Sequence, residues 1–353
     1  MDERSHLFLR ELLETPSPSG YERPIQDVVR RWARPLADDV RTDRHGNVVA
    51  ALLPQAEVGE PLRIMLAGHC DQIGLMVQHV DAEGFLYVQP IGGWDVQILH
   101  GQYLTIWAVG GPVQGVLSRK APHLLTNEER NKVPQFHDLW LDIGAKNKEE
   151  VDGLIRAGDP VTISLGYRPL RNGLAASPAM DDKVGLWVVM EALRLLKDRD
   201  RHAAVYAVST VQEEVGLRGA QVSAFGINPT VGLALDVTLA VDTPGISDYE
   251  RVTKLGEGTA IKIMDSSAIS DPRLVKFCRG LAGGRKIKYQ IEILPRGGTD
   301  AGGIQRAGSG APVITISIPT RYIHSVVESV HKDDLQASVD LVAAFIEEVH
   351  TFG

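Results

Sequence analysis

The chain has 353 residues, 44% of them hydrophobic and 23% charged, and a formal net charge of −8. That is the profile of an ordinary soluble globular protein with an ample core, and with no Lys/Arg block the acidic balance argues against nucleic acid and anionic membrane as partners. No apolar run reaches a bilayer span, the opening Met1-Asp2-Glu3-Arg4 lacks the apolar core of a secretory leader, and Cys70 and Cys278 are too few for a disulfide framework, so the expected compartment is the reducing cytoplasm.

Leu7, Phe8, Leu9, Leu12 and Leu13 recur at helical spacing and predict a helix over 3–13, which stops at the turn cluster Pro16-Ser17-Pro18-Ser19-Gly20. A second helix over 21–37 has Ile25, Val28, Val29 and Trp32 on one face. Alternation over 40–53 is broken by His45-Gly46-Asn47, a hairpin turn, which makes His45 a turn residue rather than a ligand. The run Leu62-Arg63-Ile64-Met65-Leu66-Ala67 reads as a buried strand that delivers His69 and Asp71 at its C-terminal end. Cys70, between them, faces the other way as a small core residue.

From residue 74 to 166 the character changes. Short alternating runs (75–80, 85–89, 103–109, 161–165) are punctuated by glycines, with Gly92-Gly93-Trp94-Asp95 and 126–133 as loops. The helical rhythm then returns with a helix opening at Asp181-Asp182-Lys183 and running to 198, its acidic start suited to the helix dipole. The apolar run 203–208 leads into Thr210-Val211-Gln212-Glu213-Glu214-Val215-Gly216, followed by a helix over 217–225 and a strand over 231–237. A Gly-rich loop at 296–303, a strand over 313–318 leading to Arg321-Tyr322-Ile323-His324-Ser325, and an amphipathic helix over 332–350 close the chain. The expected fold is α/β, a mostly parallel sheet sandwiched by helices, with an inserted small all-β domain. The domain limits are 1–73 and 167–353 for the α/β part and 74–166 for the insert.

In such a sheet ligands gather at the carboxyl ends of the strands, where this sequence places His69, Glu213-Glu214, Asp236 and His324, with Asp181 at a helix start. Each has a bland reading. Glu-Glu suits a solvated helix face, Asp181-Asp182 a helix cap, Asp236 a hydrogen-bonded structural aspartate, and His324 a satisfied core histidine. Together they supply His69, Asp181, Glu214, Asp236 and His324, the donors for two divalent ions. If Asp181 bridges, each ion receives a histidine, a private carboxylate and a share of Asp181, which leaves room for a water as an open catalytic site requires. Asp71, on the same strand face as His69, can orient its imidazole, and Glu213 remains as general base and later acid.

These motifs resemble the tetrahedral-shell (TET-type) two-metal aminopeptidases, which include glutamyl, leucyl and deblocking enzymes. The likeness runs over nearly the whole chain. It is carried by Gly68-His69-Cys70-Asp71, Gly92-Gly93-Trp94-Asp95, Asp142-Ile143-Gly144-Ala145, Met180-Asp181-Asp182-Lys183-Val184-Gly185, Thr210 through Gly219, Ala234-Leu235-Asp236-Val237-Thr238, Gly298-Thr299-Asp300-Ala301 and Tyr322-Ile323-His324-Ser325. The resemblance implies one metal on His69, Asp181 and Asp236, a second on Asp181, Glu214 and His324, and Glu213 as base. It also implies an insert that dimerises, dimers that build a hollow dodecamer, and short peptides as substrates. Zinc is the expected metal, although such donors also take cobalt or manganese. Gln72 stands where many members have glutamate, and Lys183 where arginine is common. The other readings are a hydrolase of acyl-amino-acid or glycan substrates and a non-enzymatic shell or scaffold.

Overall fold

The computed structural model describes residues 1–54, 60–199 and 201–352. Its centre is a set of four parallel strands in the order Ala203–Thr210, Leu62–His69, Val231–Leu239 and Val313–Arg321. These strands are buried on both faces. In Leu62–His69, for example, Ile64 and Leu66 join the larger core, while Met65 and Ala67 join the smaller one on the other side. This two-sided burial accounts for the near-continuous apolar runs in the sequence.

The sheet is mixed. Antiparallel strands flank the parallel centre: Val48–Leu52 and Asp39–Thr42 on one side, Glu328–His331, Leu174–Ser177 and Arg168–Pro169 on the other. A further pair, Thr259–Met264 and Tyr289–Ile293, branches from Val313–Arg321. Neither these two strands nor the helix Pro272–Arg285 between them is among the predicted elements. Thr259–Met264 carries Lys262 at its middle, and the helix carries Gly280, Gly283 and Gly284, both of which blur an apolar pattern. The Gly-rich stretch read as a loop over 296–303 turns helical from Asp300, in Asp300–Gln305.

Helices cover both faces of the sheet. Glu3–Glu14 buries Phe8, Leu9, Leu12 and Leu13 and leaves Leu7 exposed, with Asp2 capping its first turn through the amide of Ser5 (2.8 Å). Arg23–Ala33 is shorter than the predicted 21–37, and its neighbour Phe8 stacks on Trp32 at 4.1 Å between centroids. Met180–Leu196 is buried almost throughout and lies against the parallel strands. The approach is close: a Cβ on Gly68 would fall 2.6 Å from the main-chain nitrogen of Leu186. Only glycine there lets the helix that starts at Asp181 approach the strand that ends at His69. Lys332–Glu348 packs on the same helix.

Between Gly74 and Ile163 the chain forms a separate closed barrel of six antiparallel strands, Gly74–Val80, Leu86–Ile91, Leu139–Asp142, Gly111–Arg119, Tyr103–Ala108 and Pro160–Ile163 in neighbour order. It has its own core of leucine, valine and isoleucine side chains, including Leu75, Val88, Ile106 and Leu141. Closure pairs the strand edges that an open sheet of this size would leave for aggregation. The loop expected over 126–133 contains a short helix, Asn127–Asn131, opened by a Thr126/Glu129 capping box.

Candidate active site

The parallel register sets the site. His69 is the last residue of its strand and lies opposite Thr210, so the turn after Thr210 carries Glu213 and Glu214 over the same end of the sheet. Asp236 comes from the neighbouring strand and His324 from the segment after Val313–Arg321. Asp181 arrives from the start of the helix packed beneath. Its two carboxylate oxygens face different histidines: Oδ1 lies 3.2 Å from Nε2 of His69, and Oδ2 lies 3.5 Å from Nε2 of His324. Glu214 Oε2 is 3.4 Å from the same His324 nitrogen, and Glu213 Oε2 is 3.7 Å from His69 Nε2. Donor atoms of His69, Asp181 and Glu214 lie within 4.8 Å of one another, as do those of His69, Asp182 and Asp236. The structure therefore brings together His69, Asp181, Glu213, Glu214, Asp236 and His324, and leaves His45 in its hairpin turn.

Asp182 has a different use. Its Oδ1 accepts the amide of Gly185 (3.0 Å), which is a cap for the helix proper, and its Oδ2 accepts the amide of His69 (3.2 Å). The cap reading of the Asp-Asp pair holds for the second aspartate. Asp181 has non-helical backbone (φ −74°, ψ 108°) and faces the cleft.

Asp71 does more at the site than the orientation read in the sequence. The nearest partner of His69 Nδ1 is the main-chain carbonyl of Asp71 at 3.0 Å, with the carboxylate at 3.5 Å. That carboxylate also accepts the amides of Glu213 (3.0 Å) and Glu214 (3.2 Å) and the hydroxyl of Ser19 (2.7 Å). Asp71 thus holds the glutamate turn at the height of the imidazole. Ser19 belongs to the Pro16–Gly20 turn, legible in sequence only as punctuation. Its neighbour Glu22 accepts the amide of Gln212 (3.2 Å), and burial pushes the Glu22 carboxyl up to about 7. The two departures from the family pattern prove to be one contact. Lys183 Nζ donates to Gln72 Oε1 and to the carbonyl of Thr15, both at 2.7 Å. With only neutral acceptors in contact, burial lowers the lysine to about 7.

The barrel also reaches the site. A Cβ on Gly93 would stand 3.2 Å from Nδ1 of His324, and one on Gly92 would stand 2.6 Å from Ile73 Cγ2. The Gly-Gly-Trp-Asp loop is therefore part of the wall, and Trp94 anchors it by donating its indole N–H to the Gly74 carbonyl (2.8 Å).

The electrostatics ask for a cation. Burial, with repulsion from Asp236 and Glu214, pushes Glu213 well above the usual carboxylate range. Burial, with Asp181 and Asp300 nearby, does the same to Asp236. Glu214 is raised by burial and by Asp181. Hydrogen bonding to Asp181 and Glu214 lifts His324 to about 11. Burial opposes the charge on Asp181, but the two histidines hold it ionised. Glu214 Oε1 is buried with no hydrogen-bond partner. Two imidazoles among buried carboxylates, one oxygen orphaned, are a donor set that fits divalent cations.

Asp181, Glu213, Glu214, Asp236 and His324 line one cleft of about 520 Å³. The rest of its lining includes Leu217, Leu239, Leu294 and Ile323, the hydroxyls of Thr238, Ser266 and Ser267, and the cations Lys262 and Arg296. Lys262 is held from behind by Glu292 (3.1 Å) and Asp265 (3.6 Å).

The family model described as M42 glutamyl aminopeptidase matches residues 46–341 of this chain. The chain belongs to the M42 peptidase family. It is an aminopeptidase, a hydrolase of the exopeptidase class. This M42 peptidase is 35% identical to a lysyl aminopeptidase of Pyrococcus furiosus over 97% of its own length and 96% of the relative's. Its structure matches a TET aminopeptidase from a marine-sediment thaumarchaeote with a TM-score of 0.94, 36% identity and 99% coverage of both chains. It matches a TET1 peptidase of Pyrococcus horikoshii, which can assemble into a tetrahedron or a large octahedral shell, with a TM-score of 0.87, 31% identity and coverage of 97% and 99%. Among the described residues no helix is long and apolar enough to cross a membrane.

Proposed function

We propose that this M42 peptidase removes N-terminal residues from short peptides using two divalent metal ions that share Asp181. His69 and Asp236 complete one position, Glu214 and His324 the other, and Glu213 is the general base. The observation that carries the reading is the Asp181 carboxylate, whose two oxygens are aimed at two different imidazoles. When bound, the ions would supply an activated water and a polarised scissile carbonyl. Glu213 takes the proton of the attacking water and returns it to the departing amine. Among the described residues no hydrogen-bond donor occupies its carboxylate, which leaves it open to accept a proton, as a base requires. Asp71 fixes the base by holding the amides of both glutamates. Zinc suits the mixed imidazole and carboxylate donors, and so do cobalt and manganese.

Purified protein stripped of metal should cleave no peptide and should regain activity with added zinc, cobalt or manganese. The restored enzyme should cleave free peptides in preference to N-acetylated ones and leave glucan intact. Full peptidase activity in a rigorously chelated sample would sink the metal assignment. Equal cleavage of blocked and free peptides would sink the exopeptidase one, and release of sugar would favour the glycan alternative.

We further propose that the segment 74–166 is the dimerisation domain and that dimers join into a closed shell, in this chain a dodecamer. The support is the likeness to the shell-forming TET1 peptidase and the apolar side chains this segment presents to solvent, Val109 at 89% exposure and Tyr103 at 69%. Light scattering at micromolar concentration should show dimers or larger particles. A fully active monomer overturns this.

A further inference from the structure

Glu328 lies outside the cleft lining and contributes no donor to either metal position, yet it touches both segments that do. It opens the strand Glu328–His331, which runs antiparallel between Leu174–Ser177, where Ser177 faces Glu328, and Val313–Arg321, where Ser329 faces Arg321. The first neighbour leads into Asp181 and the second into His324. Glu328 is 1% exposed, and its two oxygens are divided between those two destinations: Oε2 accepts the amide of Asp181 at 3.0 Å, and Oε1 accepts the amide of His324 at 2.8 Å. Among the described residues no lysine, arginine or histidine forms a salt bridge with it; the nearby Lys183 donates instead to Gln72 and Thr15.

The segments it grips need holding. Ala179, Tyr322 and His324 all have left-handed backbone (φ 60°, 60° and 59°), a conformation that disfavours any side chain. Such residues keep an unfavourable conformation only where the surroundings over-determine it. Two hydrogen bonds from one buried carboxyl group to two main-chain amides are such a restraint.

We propose that Glu328 is a positioning residue that ties the main chain of the shared carboxylate to the main chain of the second imidazole, so that the Asp181–Glu214–His324 position is built as one unit. The His69–Asp236 position has no such tie to Glu328. The inference rests on the two-metal reading above.

The test is calorimetric titration of the chelated protein with zinc, on the wild type, Glu328→Gln and Glu328→Ala, with thermal melting of the same metal-free samples. The amide of Glu328→Gln keeps one acceptor and points an N–H₂ at a main-chain donor, so one of the two ties is lost at nearly constant volume. The wild type should show two binding events. In Glu328→Gln the weakened event should lose about 10–100-fold in affinity, the usual cost of a lost supporting partner. The other event, which shares only Asp181 with this tie, should lose less, and the metal-free melting temperature should stay close to wild type. In the assay, half-maximal activity should need correspondingly more zinc, with kcat restored at saturation and KM for the peptide unmoved. Glu328→Ala should show the larger loss; should it fail to fold, Glu328→Gln decides. Two unchanged binding events in Glu328→Gln overturn the proposal, as does an equal loss in both events accompanied by a lower melting temperature, which marks a merely structural role. A wild type with fewer than two binding events sinks the two-metal reading itself.

Discussion

Glu213→Gln should retain its metal complement and lose about 10²–10⁴-fold in kcat, the usual cost of a missing general base. The amide matches the carboxylate in size but cannot take a proton from water. The amide N–H of residue 213 still reaches Asp71, so the turn should keep its place. Glu214→Gln makes the opposite substitution one residue along. It exchanges an anionic donor 3.4 Å from His324 Nε2 for a neutral one, so the ion shared with His324 should bind more weakly, and part of the activity should return with excess metal. The two variants belong in one experiment, with metal content and metal rescue measured side by side. Metal loss confined to Glu213→Gln would reverse the roles. Retained metal and full activity in both would make the pair a solvated charge run after all.

Asp181→Asn should be more damaging to metal binding than any other single change. Among the described residues its carboxylate is the one group in the cleft within 4 Å of both histidines, and the amide would offer one oxygen where two are used. A donor nitrogen would then be aimed at one of the imidazoles. Both positions should be lost together, each by more than the 10–100-fold typical of an outer supporting group, and excess metal should restore little. Elemental analysis checks it. One ion retained at wild-type affinity would show that Asp181 serves a single position, and the shared-ligand geometry would have to be abandoned. Helix content by circular dichroism should be unchanged, because Asp182, not Asp181, supplies the helix cap.

Much of this was readable from residues alone, for a physical reason. The parallel strands are buried on both faces, so they appear as apolar runs, and a charged residue where such a run ends is conspicuous. His69, Glu213, Glu214 and His324 all stand out this way, and Asp236 does so within its run. What lay hidden depends on contacts between segments distant in sequence. Gly93 looks like loop filler, and its place against His324 follows only once the barrel docks. Lys262 interrupts an apolar run and discourages a strand reading, but its charge is answered by Glu292, which stands on the adjoining strand. Glu328 sits before an alternating Ser-Val-His run and carries no sequence signal at all; its function lies in two main-chain amides, which every residue has. The antiparallel margin beyond Val313–Arg321 was equally out of reach, unlike the hairpin over 40–53, since short strands such as Leu174–Ser177 have too few residues to show a period.

The site's parts also come from far apart along the chain, His69 near its beginning and His324 near its end, and this bears on the order of synthesis. A ribosome makes the first imidazole long before the second, and the Glu328 tie follows later still. A growing chain can thus close its central strands around Leu62–His69 and Ala203–Thr210 while still lacking the residue that completes the cleft. Until translation passes residue 328 the polypeptide lacks part of the proposed metal site, so it should not yet cleave peptides. Stalled chains released at residue 320 and supplied with zinc should be inert toward peptides, whereas chains carried to residue 352 should be active.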